Sequence, residues 1–157
     1  MEGEKKKLVL ITVVFIVVAS SGYYLLFDYE GWDDEETPSD LSDLDPDDIV
    51  GEVTVYWFWG EGCSNCEKQK PEMDEWEKIE GVTVERFEVY HNATNQQLLQ
   101  DMAEAYNIEN PGVPITFVGD EYWLGFTEEK NEEMEEHLVD CLTTEGGCPH
   151  PEDRLEG

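Results

Sequence analysis

A chain of 157 residues with 39 Asp and Glu against 9 Lys and Arg carries a formal charge of -30, and its length leaves room for one ordinary domain and something smaller. So acidic a surface repels phosphates, which argues against nucleic acid as a partner and disfavours anionic substrates. Residues 1–7 carry +1 and residues 8–27 carry none, which leaves -31 from residue 28 onward; self-repulsion of that size points to a halophilic, acidic protein whose charge is screened by salt.

Residues 1–7 form a basic stub with Lys5-Lys6-Lys7. Residues 8–27 are uncharged and mostly apolar, and about 20 such residues span the ~30 Å of a bilayer core as one helix. The lysines before it and the acidic flank after it predict a single-pass signal anchor in the cell membrane, N-terminus cytoplasmic and the remainder extracytoplasmic. Tyr23, Tyr24, Phe27, Tyr29 and Trp32 cluster where the segment leaves the bilayer, as interfacial rings do. Ala19-Ser20-Ser21-Gly22 offers the alternative of a cleaved signal peptide, and either reading exports the domain. Residues 28–48, rich in Asp and Glu with Pro38 and Pro46, read as an acidic, extended linker without the ligand spacing of a calcium loop.

Val53 to Trp59 is a continuous apolar run, the pattern of a central strand buried on both faces. A helix is expected from Cys63 to about Ile79, kinked at Pro71, then a strand from Val82 to Tyr90. Thr94-Asn95-Gln96-Gln97 matches a capping box for a helix with Leu98, Leu99, Met102 and Tyr106 on one face. Ile115–Val118 and Tyr122–Gly125 read as strands joined at Gly119-Asp120, and Thr127 caps a last helix to about Leu142. Alternation ending in a hairpin indicates an α/β fold with a mixed sheet flanked by helices.

Cys63-Ser64-Asn65-Cys66 opens the first of these helices. Two thiols separated by two residues can close a small disulfide ring, and the unpaired N–H groups of a helix N-terminus favour thiolate over thiol at the first. Cys63 is then the nucleophile and Cys66 the resolving thiol of a dithiol-disulfide exchange. Around them, Ser64 and Asn65 can donate hydrogen bonds to a thiolate, Lys68 and Lys70 favour it, Glu61 and Glu67 oppose it, and Trp59 walls the site. A net lowering of the Cys63 pKa is expected.

From about Ile49 to Cys141 the chain resembles the thioredoxin-like superfamily. The resemblance rests on Tyr56-Trp57-Phe58-Trp59, the Cys63/Cys66 pair, Pro71, and Gly112-Val113-Pro114 leading into Ile115-Thr116-Phe117-Val118. It implies a cis peptide bond before Pro114, packed beside the dithiol, with Val113 offering backbone groups to an extended substrate. It also exposes departures. Trp57 stands where thioredoxins keep a buried acid, and Ser64-Asn65 is neither their Gly-Pro nor the Pro-His of periplasmic oxidases. Residue 113 is a valine, as in the oxidases.

Cys141 and Cys148 flank Leu-Thr-Thr-Glu-Gly-Gly; in an oxidising exterior they read as a structural disulfide clipping a tail, 143–157, to the domain, 49–142, with a second redox pair as the alternative. His137, Cys141, Cys148 and His150 make a nominal Cys2His2 set of unfamiliar spacing, so no metal is expected. Asn92-Ala93-Thr94 is a sequon, a possible glycosylation site in an exported chain.

The reading is a membrane-anchored thiol-disulfide oxidoreductase that needs no dissociable cofactor and acts on cysteines of exported proteins or of a membrane redox partner. Two alternatives stand beside it: a non-catalytic thioredoxin-like binding module with a static Cys63–Cys66 bond, and a metallochaperone carrying soft ions such as Cu(I) on the two thiolates.

Overall fold

The computed structural model describes residues 41–156. The predicted stub and membrane span, and the first part of the linker, lie outside them. No helix among the described residues is long and apolar enough to cross a membrane.

Strand β1, Val53–Trp59, is the centre of a four-stranded mixed sheet. Side chains alternate across a strand, so Val53, Val55 and Trp57 enter one core while Tyr56 and Phe58 enter another. None of these five is more than 4% exposed, which is why the run has no polar residue except Thr54. Strand β2, Val82–Glu88, pairs parallel to β1 with Val53 opposite Val82 and Trp59 opposite Glu88. Strand β3, Ile115–Val118, pairs antiparallel on the other side, and β4, Glu121–Leu124, antiparallel outside it, giving the order β2-β1-β3-β4.

Helix α1, Ser64–Trp76, connects the parallel pair. It shares one core with helix α3, Glu128–Thr143: Cys66, Met73 and Trp76 meet Met134, Leu138, Cys141 and Leu142 over Val53, Val55 and Trp57. Helix α2, Ala93–Ala105, covers the opposite face, where Leu99 and Met102 pack with Tyr56, Phe58, Ile115 and Phe117. The architecture is a mixed α/β sheet flanked by helices, as the sequence pattern implies.

Differences from the sequence reading fall at element ends and have local causes. Helix α1 stops at Trp76 rather than near Ile79, because Lys78 N and Ile79 N bond carbonyls only three residues back and Gly81, at φ +82°, turns the chain into β2. Strand β2 ends at Glu88, two residues before Tyr90, since the Glu88 carboxylate accepts from Tyr90 N and His91 N, both at 2.8 Å, and bends the chain away. The Thr94 capping box does not form: Asn92 is the N-cap of α2, its Oδ1 accepting from Thr94 N at 3.0 Å and Asn95 N at 3.2 Å, and Thr94 already lies in the first turn. Strand β4 starts at Glu121 rather than Tyr122 and ends at Leu124, Gly125 following at φ +78°. The end of the predicted linker keeps Ser42 and Asp45 to Asp48 exposed, but it is not extended throughout. Two 3-10 turns, Leu41–Asp43 and Pro46–Asp48, bring Leu41 and Leu44 onto the core of α1 and α3.

The tail after α3 also returns to the domain. Gly146 and Gly147, at φ +89° and +69°, reverse it, and a Cβ on Gly147 would collide with the Glu52 backbone. A last 3-10 segment, Pro151–Glu156, reaches α2; there the Tyr106 hydroxyl donates to the carbonyls of Gly119 and Pro151 and the Arg154 guanidinium lies 4.6 Å from the centroid of its ring.

Candidate active site

The end of β1 delivers the chain to the mouth of the sheet. Gly60 is packed so closely under Tyr90 that a Cβ would lie 2.6 Å from its ring, and Gly62, at φ +79°, makes the turn that aims Cys63 into α1. Cys63 is the N-cap residue, with extended backbone (φ -76°, ψ 110°), and its Sγ accepts from Cys66 N at 3.2 Å. A sulfur thus occupies the place of the Ser or Asp oxygen that satisfies a helix's first donors. The two sulfurs are bonded as a Cys63–Cys66 disulfide. Cys63 is half-buried and Cys66 is 1% exposed, so an external thiol reaches the ring at Cys63.

Facing Cys63 is the turn before β3. The Val113-Pro114 peptide bond is cis, and Val113 O lies 3.8 Å from Cys63 Sγ. Val113 is half-buried between the two cores, and Pro114 is buried with its carbonyl accepting from Gly125 N at 2.7 Å. Ser64, Asn65 and Lys68 are exposed on the first turns of α1. Neither Lys68 nor Lys70 forms an ion pair among the described residues.

On the Cys66 side lies a cleft of about 470 Å³ walled by Trp57 and Trp59, stacked at 5.9 Å, with Glu61, Glu67, Lys70, Arg86 and Glu88 around it. Arg86 sits 5.6 Å from the Trp57 ring and is held by Asp74 and Glu77, each at 2.9 Å. Burial pushes the Glu88 carboxyl upward, but the backbone donors of His91, Tyr90 and Glu61 outweigh it and hold it below the usual carboxylate range.

Where thioredoxins bury an acid, Trp57 donates its Nε1 to Gln69 Oε1 at 2.9 Å, and Gln69 Nε2 donates to Thr116 Oγ1 at 3.0 Å. Gln69 and Thr116 are both 0% exposed. The dithiol therefore backs onto a neutral chain of hydrogen bonds that ties β1, α1 and β3 together. Sequence reasoning passed over Gln69 and Glu88. A signal for the first existed: Cys66, Gln69, Met73 and Trp76 recur at helical spacing as the buried stripe of α1, and a polar residue on such a stripe must find buried partners.

The remaining residues singled out in the sequence lie away from this mouth. Asn92 is exposed and engaged as the α2 cap. Cys141 and Cys148 form a disulfide at the far end of the sheet, where Gly119 approaches Cys148 so closely that a Cβ would sit 3.1 Å from it. Strand β1 separates the two pairs, and its seven residues span roughly 23 Å. Of the nominal Cys2His2 set, His137 joins the two cysteines, one ligand atom of each within 4.8 Å of the others, whereas the His150 ring meets Tyr56 edge-on at 5.3 Å.

No family model and no curated protein matches the chain. Solved structures similar to it include StoA from Bacillus subtilis, 18% identical over 53% of this chain and 81% of that one with a TM-score of 0.34. A thioredoxin of Malassezia sympodialis is 14% identical over 61% and 81%, with a TM-score of 0.42. A mutant thioredoxin from Halobacterium salinarum is 21% identical over 60% and 77%, with a TM-score of 0.38.

Proposed function

We propose that this chain is a membrane-anchored, outward-facing thiol-disulfide oxidoreductase working in high salt on cysteines of exported or membrane proteins. The observation that carries the reading is the Cys63–Cys66 ring at the N-terminus of α1, with Cys63 accessible, Cys66 buried, and the Val113 carbonyl 3.8 Å from the outer sulfur. In the dithiol form, the helix N-terminus and the Cys66 N–H stabilise a Cys63 thiolate. That thiolate attacks a substrate disulfide in line, one substrate sulfur leaves as thiolate, and Cys66 then displaces the second from the mixed disulfide. The reverse sequence donates the disulfide. In this reading the backbone of Val113, whose carbonyl is 3.8 Å from Cys63 Sγ, hydrogen-bonds an extended substrate segment beside the reacting sulfur. Anchoring rests on the apolar span 8–27 and its charge flanks.

The test uses the full chain in detergent and molar salt with a disulfide-bonded peptide. Cys66→Ser is expected to accumulate a mixed disulfide at Cys63, and Cys63→Ser to lose exchange altogether; Cys63→Ser exchanging as fast as the native chain overturns the reading. The reduction potential of the pair then sets direction: about -120 mV makes a disulfide donor, and about -270 mV a reductant. An N-terminus starting near Ser21 or Gly22 in protein from native membranes removes the anchor.

A further inference from the structure

The C-terminal clip has a feature that a purely structural disulfide leaves unexplained. His137 Nε2 is buried and has no hydrogen-bond partner among the described residues, an arrangement that costs free energy unless something else uses the nitrogen. One ring nitrogen of His137 and the sulfurs of Cys141 and Cys148 all lie within 4.8 Å of one another. The sequence produces this meeting by simple means. His137 and Cys141 are one turn apart on α3, and the two positive-φ glycines fold Cys148 back onto that turn. Trp123, 5.6 Å from the imidazole at 53°, walls the ring.

Two thiolates and a neutral imidazole are the donors that zinc takes, at about 2.3 Å to sulfur and about 2.0–2.1 Å to nitrogen in a tetrahedron. Those bond lengths set the two sulfurs about 3.8 Å apart and each about 3.6 Å from the nitrogen. The present cluster is confined to 4.8 Å, so the bonded sulfurs, carried on Cα atoms 5.0 Å apart, need to part and the imidazole nitrogen to close in by no more than about 1 Å. We propose that His137, Cys141 and Cys148, once the disulfide is reduced, form a three-ligand site for a tetrahedral soft divalent cation such as Zn²⁺, with the fourth position open to water.

The steps balance with a dithiol as reductant. It gives two electrons and two protons to the Cys141–Cys148 bond and becomes a disulfide itself; the cation then displaces the two thiol protons and accepts the imidazole lone pair. Disulfide and metal are mutually exclusive closures of the same loop. A chain of charge -30 also concentrates cations around itself.

The full chain carrying Cys63→Ala and Cys66→Ala, so that only the second pair can bind, is reduced anaerobically with a phosphine, freed of reductant, and titrated with Co²⁺ and then Zn²⁺. One Co²⁺ per chain with tetrahedral d–d and thiolate charge-transfer bands is expected. Its affinity should exceed by about 100-fold that of the oxidised chain, whose carboxylates set the background. His137→Ala should weaken binding by about 10–100-fold, at least as much as the loss of an outer-shell partner does, and alter the d–d bands. A reduced chain that binds no tighter than the oxidised one, or a His137→Ala chain unchanged in affinity and spectrum, overturns the proposal. So does a reduced chain whose near-ultraviolet tryptophan dichroism is lost and not restored by Zn²⁺.

Discussion

At the scale of single residues, the site is organised by two polar side chains set behind and beside the dithiol. Gln69 accepts from the Trp57 indole N–H and reaches Thr116 with its amide, so Gln69→Ala orphans both and leaves a cavity. Each orphaned group costs about 1–3 kcal/mol, and we expect a loss of about 3 kcal/mol or more in urea denaturation, against less than about 0.5 kcal/mol for Lys68→Ala on the exposed face. An effect of Gln69→Ala as small as that of Lys68→Ala would refute the buried chain. Glu88 fastens the other side, accepting from Tyr90 and His91 at 2.8 Å and from Glu61 at 3.3 Å. Its carboxyl is lowered from the ordinary value, so its contribution is present above the unfolded carboxylate range and is lost as pH falls through the folded pKa. Protection of the Tyr90 and His91 amides, measured against their intrinsic exchange at each pH, should therefore fall on acidification, and Glu88→Gln should remove that step; protection that is flat with pH in the native chain argues against the fastening. Cys63 and Cys66 were legible from their own spacing at the start of a helix, whereas Val113 and Pro114, 50 residues on, were legible only through the resemblance to thioredoxin-like chains. Glu88 was not, because a glutamate closing a strand does not announce which backbone N–H groups will turn onto it: those of Tyr90 and His91 just after it, and that of Glu61, 27 residues away.

At the scale of elements, hydrophobic patterning foretold, in order, every strand and α-helix among the described residues, since each buries a face whose period is written locally. Ends were less legible, because a helix start is decided by which of several adjacent polar side chains wins the first N–H groups. Asn92 and Thr94 both qualify by type, and Asn92 wins because its Oδ1 reaches Thr94 N and Asn95 N together. Asn92→Ala should cost about 1 kcal/mol of stability, within the usual range of about 0.5–2 for a lost cap, and Thr94→Ala only a few tenths. The reverse order in thermal melts would reinstate the capping box. The short 3-10 turns at Leu41 and Pro46 were hidden for a related reason: an acidic composition reads as solvated chain, and two leucines suffice to dock it on a core that only the fold assembles.

At the scale of the whole molecule, charge and core are nearly independent, which is why the first was readable without the second. Gln69 and Thr116 are the only polar residues buried among those described, so every described carboxylate stands at or near the surface. Few cations answer them. Arg86, Lys78 and Arg154 each pair with acids at 2.7–2.9 Å, and His91 meets Glu61 at 3.3 Å, an ion pair only when the imidazole is protonated. Exposed pairs of this kind contribute at most about 1 kcal/mol each, too little to offset repulsion within a chain of -30. Screening can: the Debye length falls from about 30 Å at 0.01 M to about 3 Å at 1 M, below the spacing of most neighbouring surface charges. Melting temperature should therefore climb from low to molar NaCl or KCl, by about 4–8 °C for each kcal/mol recovered. Chloride salts matter to the design, since sulfate would strengthen apolar burial by its own exclusion and give the same sign for another reason. A melting temperature that stays level across the chloride series would mean the carboxylates are accommodated without screening, and the high-salt habitat proposed here would lose its physical basis.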